Sequence, residues 1–167
     1  MTDLPRYRAL SAALRERRGS DFEIEIQGRF FDLRYEPGES TVNLFGGNSN
    51  WRGPIWFPVN YLLIQALRKY HTFYGDDFVV ECPVGSGRHC SLAAAADELS
   101  DRLIGIFALG SEGRRPALGN AALLQRPEFR DHLLFHEYFN GDDGRGHGAA
   151  HQTGWTGLVA TLIGQRG

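Results

Sequence analysis

The chain has 167 residues, 42% of them hydrophobic and 23% charged, with a net charge of −2. That length fits one domain with a real core, and the balance excludes a disordered or strongly basic nucleic-acid-binding protein. No stretch is long or apolar enough to span a bilayer and the N-terminus carries no signal-peptide pattern, so neither a membrane nor nucleic acid is expected as a partner. Cys82 and Cys90 are the only cysteines, a number that suits a reducing compartment and a cytoplasmic location.

In chain order, residues 4–18 read as a short helix with Pro5 near its start and Gly19 at its end. Residues 22–26 (FEIEI) alternate strictly, and Phe31, Leu33 and Tyr35 alternate after the pair Gln27-Gly28, which predicts a β-hairpin. Residues 46–60 (GGNSNWRGPIWFPVN) then fit neither helix nor strand. Gly46, Gly47 and Gly53 permit unusual backbone conformations, and Pro54 and Pro58 push Gly53 and Phe57 toward extended geometry. An ordered turning segment results, which fixes where Trp51, Arg52 and Trp56 point.

Pro58 opens the next helix, with Val59, Leu62, Leu63, Ala66, Leu67 and Tyr70 as its apolar stripe and Gly75 as its stop. A Gly-rich loop runs to Arg88. Ser91 caps a second helix striped by Leu92, Ala95, Ala96, Leu99, Leu103, Ile106 and Phe107. A polar loop leads to Pro127, which opens a helix through about Phe139. After GDDGRGHG comes a last helix with Trp155, Leu158, Val159 and Leu162 on one face. The expected class is mainly α with one small hairpin, in a single unit over residues 1–167.

Four groups of residues bear on function. Trp51, Arg52 and Trp56 combine aromatic faces that pack on the C–H groups of a sugar ring with donors for its hydroxyls; they also suit plain packing between helices. Glu137, read as lying in the last turn of its helix, would face an unfavourable macrodipole, which raises a carboxyl pKa and favours a general base. An exposed surface glutamate fits the same position. His132/His136 and His147/His151 are both spaced by four, but HLLFH lacks the HExxH arrangement, and no metal is expected. PVGSGRH at 83–89 matches neither the P-loop nor the dinucleotide fingerprint and reads as a loop, so no cofactor is expected.

The stretches GGNSNWRGPIWFPVNYLLI, FYGDDFVVECPVGSG and HEYFNGDDGRG followed by HQTGWTGLVA together resemble the C-terminal part of glycoside hydrolase family 63, its large bacterial members above all. The resemblance runs from about Asp21 to Ile163. It implies an (α/α)6 toroid and an inverting enzyme that cleaves α-linked glucose or mannose. It implies Glu137, in a segment similar to the family's HEYFNG, as catalytic base. It also implies Trp51 and Arg52 as lining of the sugar pocket, with Trp56 beside them and Trp155 as wall or packing. The family's general acid is an aspartate far upstream, and no residue here matches it. Twelve helices of about 11 residues with connections of about 5 need roughly 190 residues, so a partial toroid is expected. Its partners would be an α-linked oligosaccharide or glycoside and either the other toroid half or a second copy of the chain. The other reading is a non-catalytic carbohydrate-binding or structural helical remnant.

Overall fold

The computed structural model describes residues 22–33, 35–41, 50–129 and 131–166. The helix expected at 4–18 and residues Gly46 and Gly47 lie outside them. Strands β1 (Phe22–Ile26) and β2 (Arg29–Leu33) form the expected antiparallel hairpin, in the register Ile24↔Phe31. Its turn places Gln27 at φ 53° and Gly28 at φ 75°. Two consecutive positive φ values match the right-handed strand twist, which is why a glycine sits there.

Helix α1 (Phe57–Tyr74) carries Pro58 in its first turn, where a missing N–H costs nothing, and ends at Gly75, whose N–H donates to the His71 carbonyl. Helix α2 (Leu92–Phe107) starts at Ser91, whose hydroxyl accepts the Ala94 N–H at 3.3 Å. Its far end is tied by the Arg115 guanidinium, which donates to the Phe107 carbonyl at 2.6 Å. Between the two helices, β3 (Val79–Glu81) and β4 (His89–Ser91) pair antiparallel, a hairpin the Gly-rich loop reading missed. A 3-10 turn (Pro116–Leu118) follows, then β5 (Tyr138–Phe139) with β6 (Gly146–His147), and the short helices α3 (Thr153–Thr156) and α4 (Leu158–Gly164). Helices supply most of the core, and the three sheets among the described residues are two-stranded.

The core joins Phe57 and Ile64 of α1, Ala96, Leu103, Ile106 and Phe107 of α2, Ala117, Phe139, and Val159 and Leu162 of α4. Phe57, Phe107 and Phe139 meet edge to face with centroids 5.4–5.8 Å apart, a favoured aromatic geometry. The α2 stripe falls where its periodicity puts it. The α1 stripe does so only in part, at Leu67, which packs against the core. Val59, Leu62, Leu63 and Tyr70 are about half exposed or more, whereas Phe57 and Ile64 are buried. Helix α1 has apolar residues on two sides, Phe57 and Ile64 on one and Leu62, Leu63, Tyr70 and Phe73 on the other, so periodicity alone cannot say which side meets the core.

The helix expected from Pro127 to Phe139 is absent. Residues 127–129 and 131–137 form turns, bends and an isolated bridge, and Tyr138–Phe139 is a strand. Tertiary pairing decides this. The Phe139 N–H donates to the Ile55 carbonyl at 3.0 Å, and the Phe139 carbonyl accepts the return bond from the Ile55 N–H at 2.7 Å. Tyr138 and Phe139 are both fully buried, as in a strand whose alternating side chains are covered on both faces.

Candidate functional site

Asn50 organises the segment that carries the tryptophans. Its buried amide donates to the carbonyls of Glu36 (3.1 Å) and Gly38 (2.7 Å). Its side-chain oxygen accepts from the Arg52 backbone N–H at 3.2 Å, and its carbonyl accepts from Trp56 Nε1 at 3.2 Å. Residues 50–56 are thereby laced to residues 36–38. The approach is so close that a Cβ on Gly53 would lie 2.0 Å from the Glu36 carbonyl oxygen, so only glycine fits there.

Arg52 joins this lacing. Its guanidinium meets the Glu36 carboxylate at 3.1 Å and Ser40 Oγ at 3.5 Å. The Glu36 side chain is almost wholly buried. Burial raises its pKa, but hydrogen bonds from Ser40 and Thr41 and the Arg52 charge outweigh that and hold the carboxyl below its ordinary value. Sequence reasoning missed Glu36. A glutamate in the YEPGES turn carries no spacing signal, and its role follows from the Asn50 lacing, which only the fold reveals.

The three tryptophans converge. Trp51 stacks on Trp56 at 4.1 Å with planes 8° apart, Trp56 stacks on Tyr138 at 4.7 Å, and Tyr138 stacks on His147 at 5.6 Å. Trp155 meets Trp56 edge-on at 6.4 Å. Trp56 and Tyr138 are buried, while Trp51 is 52% exposed. The stack therefore offers one broad aromatic face to solvent, backed by rings that cannot turn.

Glu137 precedes Tyr138 at the edge of this cluster. Its backbone N–H donates to the Ala149 carbonyl at 2.9 Å, and its carboxylate accepts from the Ala149 N–H at 3.4 Å. Gly148, at φ 67°, leaves the carboxylate its space, since a Cβ there would sit 2.6 Å from Oε2. The macrodipole argument for Glu137 fails, because no helix ends there. What places this glutamate is a strand pairing. The Tyr138 phenol is pushed up, first by burial and then by the charges of Glu39 and Glu137, so both carboxylates lie within electrostatic reach of one hydroxyl.

His132 and His136 share no helix face, and among the described residues no three His, Cys, Asp or Glu side chains gather as metal ligands. His136 and His147 are held neutral to lower pH than usual. Burial dominates for both, reinforced at His136 by His147 and at His147 by Arg145. PVGSGRH forms the turn of the β3–β4 hairpin, with the Gly87 N–H donating to the Glu81 carboxylate. Cys82 and Cys90 are free thiols, and no helix among the described residues is long and apolar enough to cross a membrane.

An open depression of about 800 Å³ lies between residues 35–41 and the β5–β6 hairpin. It is lined by Tyr35, Glu36, Gly38, Glu39, Thr41, Asn140, Arg145 and His147, with Pro37 and Gly146 completing it. Glu137 and the tryptophans are not among its lining. The site thus has two parts, the aromatic face with Glu137 at its edge and the polar depression, joined through Tyr138 and His147.

Over 145 residues, 85% of its length, the chain is 50% identical to the uncharacterized protein YMR196W of Saccharomyces cerevisiae. Over 122 residues, 72% of its length, it is 29% identical to the mannosyl-oligosaccharide glucosidase of the same yeast. The chain is distantly related to a glucosidase. These matches span 13% and 12% of the two yeast proteins, so the chain corresponds to about one-eighth of either. No family model and no solved structure matches it.

Proposed function

We propose that the chain is a segment of an α-glycoside hydrolase of the family 63 type, contributing the general base and part of the sugar pocket to a larger helical toroid. The observation that carries this reading is the meeting of Trp51, Trp56 and Trp155 with the Glu137–Tyr138 pair. A ring stack with a face able to hold a sugar includes Tyr138, and the residue before it carries a carboxylate held in place by the Ala149 backbone and by Gly148. The 29% identity to a mannosyl-oligosaccharide glucosidase supports the same chemistry.

In this reading Trp51 takes the ring on its exposed face, with Trp56 behind it and Trp155 closing the edge. Arg52 shapes the pocket by holding Glu36 rather than by reaching the sugar through the same nitrogen. Glu137 accepts a proton from a water that attacks the anomeric carbon, as the glycosidic bond breaks and the leaving oxygen takes a proton from a general acid. Inversion needs the two carboxyl groups about 6.5–9.5 Å apart across that bond, and the acid comes from another part of the toroid.

The isolated chain is therefore expected to bind α-linked glucosides weakly, at about millimolar level, because a partial pocket buries little of a ligand. It is expected not to turn them over. The test is a chimera in which this chain replaces the matching 145-residue segment of the 50%-identical yeast protein. Release of glucose or mannose from α-linked oligosaccharides, abolished by Glu137→Gln, supports the proposal. Hydrolysis that survives Glu137→Gln overturns the assigned base.

A further inference from the structure

We infer that the depression between residues 35–41 and the β5–β6 hairpin is a second sugar-binding subsite, with Glu39 as the acceptor that selects hydroxyls there. This rests on the glycoside reading above and extends it to a part of the molecule that reading does not use.

The first support is chemical. Glu39, Asn140, Arg145 and Thr41 put acceptors and donors around one open volume of about 800 Å³, within the range of about 300–1,000 Å³ usual for small-molecule sites. Their charges nearly balance. The Glu36 carboxylate is already met by Arg52, and Glu39 and Arg145 both contribute to the lining. A phosphate would encounter Glu39 and a cation would encounter Arg145. A neutral polyol, whose hydroxyls both donate and accept, suits both.

The second support is positional. His147 contributes to the lining and stacks flat on Tyr138, which stacks on Trp56, which stacks on Trp51. The depression and the exposed aromatic face are the two ends of one stack. Glu39, by its charge on the Tyr138 phenol, sits where the two meet. Gly38 keeps this end open. A Cβ on it would lie 3.2 Å from His147 Nε2 and 3.3 Å from Asn140 Nδ2, so any side chain at 38 would crowd the groups that form the floor. The depression is roomy enough for more than one ring, so an α-linked chain fills it better than a single ring does.

The test titrates the full chain by calorimetry and ligand-observed NMR with methyl α-glucoside, a single ring, and with maltotriose, nigerotriose and isomaltotriose, three α-linked trisaccharides. The tightest trisaccharide is expected to bind at least tenfold better than the single ring. Glu39→Gln and Glu39→Ala are each expected to remove about tenfold of that advantage, the scale of a hydrogen bond to a charged group, and to leave methyl α-glucoside binding unchanged. Circular dichroism on both variants checks that they fold. If both variants bind every sugar as the wild type does, the subsite is overturned while the aromatic-face reading stands. If the wild type binds none of the sugars, and Trp51→Ala changes nothing, the glycoside reading falls and the subsite with it.

Discussion

Glu36→Ala is the sharpest test of how the wall is held. The Glu36 carboxylate accepts from the Thr41 backbone N–H at 2.7 Å and from the Thr41 hydroxyl, and it meets the Arg52 guanidinium at 3.1 Å. Removing it strands those donors and leaves a guanidinium that is 23% exposed facing an emptied space. Breaking a fully buried pair costs about 3–5 kcal/mol. Partial solvation of Arg52 reduces this to about 2–3 kcal/mol. In a domain of this size each kcal/mol shifts Tm by about 2–4 °C, so the expected loss is roughly 5–10 °C. Thermal and urea unfolding of the wild type, Glu36→Ala, Arg52→Gln and the double variant close a cycle, and the double should cost less than the two singles together. The pH dependence has a definite sign. The native carboxyl titrates below the unfolded value of 4.5. Its contribution is therefore complete above that pH and lost as pH falls through the native value. The gap between the wild type and Glu36→Gln should close as pH falls below 4.5 and through the lowered native value. A Glu36→Ala variant within about 0.5 kcal/mol of the wild type, or a cycle with no coupling, would refute the brace.

The half-exposed face of α1 and the segment after it (Leu62, Leu63, Tyr70, Phe73, Tyr74, Phe78 and Val79) should drive self-association of the isolated chain, since monomers rarely expose larger apolar patches than a few hundred Å². Light scattering should show oligomers that Leu62→Glu with Phe73→Glu dissolves, and a clean wild-type monomer would count against an unpartnered face. Gly53→Ala should destabilise by about 2 kcal/mol or more because its Cβ would meet the Glu36 carbonyl, and chemical denaturation reads this directly. His136 and His147 resist protonation in the fold, so the unfolded chain binds more protons below its ordinary histidine pKa of about 6.5. Stability should fall as pH drops from there through the lowered native values, and His147→Gln should flatten that slope.

Local signals were legible wherever one mechanism dominates. The Gln27-Gly28 turn, the Ser91 cap and Gly75 at the end of α1 each follow from the backbone or hydrogen-bonding needs of a few adjacent residues. Residues 131–139 were misread because HLLFHEYF can be written as a helix, and what prevents one is a bond pair to Ile55, far away in sequence. Glu36 and Glu39 were invisible for the same reason. Their surroundings are assembled by Asn50 and by Tyr138, and no spacing in the YEPGES turn announces either.

The misplaced stripe of α1 bears on function more than the missing helix does. A helix with apolar residues on two opposite sides suits a place between two partners, yet here α2 and α4 cover only the side with Phe57 and Ile64. The opposite side, with Leu62 69% and Phe73 80% exposed, has the composition of a core and the exposure of a surface. Among the described residues nothing covers it. The yeast relatives have about seven-eighths of their length outside the match, enough chain to supply a partner for this face and a second carboxyl group for the site. The two needs can be separated by experiment. Leu62→Glu should abolish assembly with that remaining chain and leave trisaccharide binding by the isolated segment intact, whereas Trp51→Ala should do the reverse. If Leu62→Glu removed sugar binding as well, the apolar face and the aromatic wall would have to be one surface, and the division of the segment into a docking side and a binding side would be wrong.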